Sequence, residues 1–176
     1  MKKIFCLILL ITTVFAFGFI AFTQNEQDTA ENVVAVELSE EDVQYIAEGC
    51  FEAFKKTMDT DKALNHDIKY VSVDFSNLKI IEAGAVIPLL EQYCKDKGYQ
   101  LLQYSYDELI EKGYGDGWSL TSAVLLSSSD AVLKDGKLSM SMSKYRSALG
   151  AIGMQYTLHK NENGEWVFQG GRTWIS

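Results

Sequence analysis

Ser141 and Lys144 stand three residues apart, a spacing at which a lysine can activate a serine nucleophile when a helix carries both on one face. Here the pair falls in a run where Leu138, Met140 and Met142 alternate with Ser139, Ser141 and Ser143. That period of two spells a half-buried strand, and no Ser-Asp-Asn or Lys-Thr-Gly string accompanies it. Ser141-x-x-Lys144 therefore reads as solvent-facing strand. Metal chemistry has no framework either. His66 and His159 lie in different segments, with no Cys-x-x-Cys or His-Glu-x-x-His. Asp59-x-Asp61 opens like a calcium loop, but Ala63, Leu64 and Tyr70 fill its fifth, sixth and twelfth positions, where the loop needs a ligand, a glycine and a glutamate. No metal site and no cofactor are expected. Cys50 and Cys94 fall on apolar helix faces, a poor setting for a thiolate nucleophile. Outside the cytoplasm they would either pair as a disulfide or sit apart as small core hydrophobes.

Binding chemistry is better represented. The only arginines are Arg146 and Arg172. Lys144-Tyr145-Arg146 ends one apolar-alternating run, and Gly150-Ala151-Ile152-Gly153 begins the next. Glycines let another backbone come close, and arginine suits a carboxylate. Tyr145 and Arg146 are thus candidate ligand-binding residues for an acidic ligand or a peptide terminus, against the alternative of an internal ion pair. Gly113-Tyr114-Gly115-Asp116-Gly117-Trp118 follows a helix rather than a strand, so it lacks the setting of a phosphate loop. Trp118 is a candidate to stack on a sugar or peptide, against the alternative of a plain connection. No catalytic residue is assigned. An enzyme would have to use Asp74 or His66 as its base.

The elements that must position these residues follow from spacing. Ser39 caps a helix over 40–58, with Asp42 as its box partner and Val43, Ile46, Ala47, Cys50, Phe54 and Met58 at helical intervals. Tyr70 to Phe75 alternates as a strand, and 86–97 forms a second helix with Pro88 in its first turn and Gly98 as its stop. Tyr99 to Tyr104 is a short strand, and Ser105-x-x-Glu108 boxes a short helix over 106–112. Residues 70–104 thus spell a strand–helix–strand crossover. From Leu120 the period is two. Asp135-Gly136 and Asn163-Gly164 mark hairpins, and Gly170-Gly171 marks a bulge before Thr173-Trp174-Ile175. The expected fold class is α+β, with helices packed on one face of a mainly antiparallel four-stranded C-terminal meander.

The N-terminus sets the compartment. Lys2-Lys3 precedes nineteen uncharged residues, Ile4 to Phe22, the pattern of an export signal. The run exceeds the ~7–15 residues of a usual cleaved signal and reaches the ~17–25 that span a bilayer. Ala21-Phe22-Thr23 offers a cleavage site before Gln24. Cleaved signal and uncleaved anchor both stay open, and both place the remainder outside the cytoplasm. Cys6 lies inside the apolar run, so it is not a lipidated cysteine. The chain of 176 residues divides into a signal or anchor at 1–23, an acidic linker at 24–38 and one α+β domain at 39–176. The net charge of −8 becomes −10 once Lys2 and Lys3 are gone, which argues against nucleic acid and against anionic membrane surfaces as partners.

Tyr106 to Gly113, Lys144 to Gly153, Gly164-Glu165-Trp166 and Trp174-Ile175-Ser176 together resemble a loose group of exported bacterial proteins of no assigned function. The likeness covers 100–176 and implies no activity. The arrangement of helices over a meander is similar to the NTF2-like and cystatin-like folds, which host binding modules, inhibitors and a few enzymes. The expected function is an exported, non-enzymatic domain binding a protein or small ligand at the cell surface. The alternatives are a small hydrolase- or isomerase-like enzyme with a pocket between helices and sheet, and an inhibitor or immunity-type protein. Any membrane contact runs through the N-terminal segment.

Overall fold

A computed structural model describes residues 38–129, 131–169, 171 and 173–175. The expected signal or anchor at 1–23, the linker up to residue 37, and Arg172 lie outside the described residues. Helix α1 (Glu40–Asp59) begins at Ser39, whose hydroxyl accepts from the Asp42 N–H while the Asp42 carboxylate accepts from the Ser39 N–H. This reciprocal cap satisfies two of the backbone donors that a helix start leaves free. Ile46, Cys50, Ala53, Phe54 and Met58 form its buried stripe. A short 3-10 turn (Lys62–Asn65) leads to strand β1 (Tyr70–Asp74). Helix α2 (Ile87–Lys97) has its proline in the first turn and ends at Gly98, whose φ of 75° is the left-handed stop. Strand β2 (Gln100–Leu102) and helix α3 (Tyr106–Glu111), boxed by Ser105 and Glu108, complete the first half. Among the described residues no helix is long and apolar enough to cross a membrane.

Six strands make up the second half: β3 (Ala123–Ser128), β4 (Val132–Lys134), β5 (Lys137–Ser147), β6 (Gly150–Lys160), β7 (Trp166–Phe168) and β8 (Thr173–Ile175). Asp135 and Gly136 turn β4 into β5 with φ of 51° and 69°, the two left-handed residues of a tight hairpin. All eight strands join one mixed sheet in the order β2-β1-β3-β5-β6-β7, with β4 beside β5 and β8 beside β6. β1 pairs in parallel with both β2 and β3; the remaining pairs are antiparallel.

The α+β class holds, but this is not helices on one face of a four-stranded meander. The first-half strands extend the same sheet, and both faces are covered at that end. Burial shows why. Ala123, Val124, Leu125 and Leu126 are buried in succession, and a strand buried on both faces needs a layer on each. Val124 and Leu126 join the core under α1 and α2, with Val71, Val73, Leu138 and Leu158. Ala123 and Leu125 join a second cluster with Leu109 of α3, ringed by Tyr70, Tyr104, Tyr114 and Tyr145. Thus α3 lies on the opposite face from α1 and α2. Ser72, fully buried, donates to the Tyr104 carbonyl at 2.7 Å and accepts from the Tyr104 N–H at 3.0 Å, tying β1 to the segment that leads into α3.

Candidate functional site

The sequence-expected ligand residues do not converge. Arg146 donates to the backbone carbonyls of Leu64, His66 and Thr121. Among the described residues its guanidinium is engaged by main chain, neither by a carboxylate nor by an internal ion-pair partner. The neighbouring Tyr145 turns to the other side of the sheet, packs edge-on to Tyr106 and donates from its hydroxyl to the Trp118 carbonyl at 3.0 Å. Trp118 is 76% exposed. Tyr145 and Trp118 are therefore joined through main chain, and Arg146 stands apart from both.

Ser141 and Lys144 also separate. An odd offset along a strand sends two side chains to opposite faces. Ser141 is half-exposed, while Lys144 is completely buried in phase with Leu138, Met140 and Met142, so it is not solvent-facing. Its ammonium donates to the carbonyls of Met58, Thr60 and Asp61 and to Asn65 Oδ1. Burial pushes it down from 10.5 to about 8, partly opposed by Asp61 and Asp59. Lys144 is an internal cap on the end of α1, out of reach of any substrate.

Cys50 and Cys94 are both buried free thiols in the core. Burial pushes Cys50 up to about 12 and Cys94 up to about 11, far from reactive thiolates at neutral pH. Peptide mapping after iodoacetamide treatment at pH 8 is expected to find both unmodified in the folded protein and modified after denaturation. A Cys50–Cys94 linked peptide would contradict the free-thiol arrangement.

His66 is exposed and pairs with its exposed neighbour Asp67 at 2.7 Å. Asp74 ends β1 and lines a crevice of about 350 Å³ with Ser76, Gln103, Ser105 and Glu108. This is the carboxyl edge of the parallel strands, where open sheets often take ligands. The carboxylates there have local duties. Asp74 accepts from the Ser76 N–H, and Glu108 is held below the usual carboxylate range, first by the Ser105 N–H and then by its hydroxyl. Among the described residues no three histidines, cysteines or carboxylates gather into a metal-binding group.

A further concave feature lies on the outer face of the antiparallel half, apart from an apolar one of about 460 Å³ between α1 and the start of α2. Ser127, Ser129, Ser141, Ser143, Gln155 and Trp174 line a groove of about 390 Å³. It continues past Ser141 and Gln155 to Ser139, Thr157 and Val132. Among the described residues no charged side chain lines either part. Trp174 makes the wall. β8 pairs Trp174 with Gly153 of β6, and a Cβ added at Gly153 would fall inside the indole ring. The glycine therefore lets the ring lie on the strand while 55% of the residue stays exposed. Ser128 pairs with the core residue Met142, so its side chain turns away from the groove; it is 3% exposed, and among the described residues its hydroxyl has no partner.

Sequence reading saw these serines as a strand's wet face and missed the groove. One signal was present: every outward position from 139 to 143 and from 153 to 157 is uncharged, in a chain with 23% charged residues. No family of proteins, no curated protein and no solved structure matches the chain.

Proposed function

We propose that the chain is an exported, non-enzymatic binding domain that presents the outer face of β3, β5 and β6 to an uncharged polar ligand. The groove walled by Trp174, with no charged side chain among its described lining residues, is the observation that carries this reading. Surfaces of acidic domains are normally strewn with charge. A concave strip whose described residues offer hydroxyls, an amide and an indole suits partners needing hydrogen bonds and an apolar ring instead. The Lys2-Lys3 and Ile4–Phe22 pattern supports placing this face outside the cytoplasm.

The test is an amide chemical-shift map of the ¹⁵N-labelled protein against an extract of the medium and envelope of its producing cells. Shifts confined to 127–129, 139–143, 153–157 and 174 are expected. Shifts that avoid these residues, or none, would overturn the reading. A second reading, a small enzyme using Asp74 as its base, is favoured by the crevice at the carboxyl edge of the parallel strands. Shifts centred on Asp74, Gln103 and Glu108 would select it.

A further inference from the structure

We propose that the groove binds a neutral carbohydrate chain, with Trp174 as the platform on which a sugar ring stacks. This rests on the binding-face reading above and names its ligand class. Three observations point to sugar. The groove offers serine and threonine hydroxyls and the Gln155 amide, groups that both donate and accept and so match sugar hydroxyls in either sense. The exposed indole, seated on Gly153, supplies a flat apolar surface with a polar N–H at its edge, suited to the C–H face of a pyranose. Among its described residues the groove carries no charged side chain for a phosphate, carboxylate or amine to pair with.

An extended peptide fits less well. β5 is paired on both sides, by β3 and β4 on one and β6 on the other, and β6 is paired by β5 on one side and by β7 and β8 on the other. Their main-chain groups are engaged along the groove floor, so a peptide strand finds no free ladder on β5 or β6.

The full chain, purified from its producing cells, is titrated calorimetrically with four hexasaccharides. These are β-1,4-, β-1,3- and α-1,4-linked glucose and β-1,4-linked N-acetylglucosamine. Binding of at least one is expected, with a change in tryptophan emission. Trp174→Ala should weaken that binding about tenfold or more, since it removes the whole stacking surface. Gln155→Ala should weaken it less, with the melting temperature unchanged. Silence toward all four, or undiminished affinity in Trp174→Ala, overturns the proposal. If all four are silent while envelope extract still shifts the groove amides, the sugar class fails and the binding face stands. Saturable binding of a peptide in the groove would replace sugar by peptide.

Discussion

Replacing Lys144 by methionine is expected to destabilise the fold by about 3–5 kcal/mol, read from urea unfolding at pH 7. Against a total stability of about 5–15 kcal/mol, that leaves a marginal protein. The last turn of a helix leaves carbonyls without intrahelical donors. Here the Lys144 ammonium supplies them, reaching the carbonyl of Met58 at 3.2 Å, of Thr60 at 2.5 Å and of Asp61 at 3.1 Å, and Asn65 Oδ1 at 3.1 Å. A cation also suits the negative end of the helix dipole. Methionine fills similar space and donates nothing; the Met58 and Asp61 carbonyls keep their bonds from Asn65 Nδ2 and the Leu64 N–H, while the Thr60 carbonyl and Asn65 Oδ1 lose a donor at about 1–3 kcal/mol each. A loss below about 1 kcal/mol would mean that water replaces the ammonium without penalty.

The same residue predicts a pH dependence. Its pKa falls from 10.5 in the open chain to about 8 in the fold, because burial disfavours the charged form. Between those values the unfolded chain holds a proton that the folded chain has released. The group's contribution to stability therefore rises with pH from about 8 to 10.5 and is flat below about 8. Methionine removes this titration. The stability gap between wild type and Lys144→Met should widen across that window, and a constant or narrowing gap would contradict the depressed pKa.

Lys144 also shows what could and could not be read from the chain. Its parity with Leu138, Met140 and Met142 places it on the core face, and only its charge argued for solvent. Helix starts at Ser39 and Ser105 were legible because both capping boxes close within four residues. The Asp135-Gly136 turn was legible for the same local reason. Sheet order was not, because Val71 and Val73 declare a buried face without naming the strands beside it. The four consecutive buried residues of β3 were the sign of a two-sided strand, and α3 supplies the second layer with little more than Leu109 and a ring of tyrosines. Arg146 was read by its affinity for carboxylates, yet it spans from β5 to the carbonyls at 64, 66 and 121. Such contacts, spanning 25, 80 and 82 positions, leave no local signature. The groove hid for a related reason: its serines were visible, but its wall arrives from β8 at the far end of the chain.

That wall makes a coupled prediction. Gly153→Ala alone should destabilise the protein by about 1–3 kcal/mol, because the new methyl occupies the indole of Trp174 and must expel it. The ring cannot leave without disturbing the Gly153–Trp174 step of the β6–β8 ladder. With Trp174→Ala already in place, the atoms nearest that methyl are gone. Alanine then removes the conformational freedom of a strand glycine, and the same substitution should stabilise by about 0.5–1 kcal/mol. The sign reversal is the signature, and urea unfolding of the four proteins in the cycle measures it as a coupling of about 2 kcal/mol. Additive effects would mean the ring is not seated on Gly153 in solution. The Gly153→Ala protein also separates presence from position: it keeps its tryptophan, yet it should lose hexasaccharide binding as fully as Trp174→Ala, because a platform turned away from the hydroxyls of β5 holds no sugar against them.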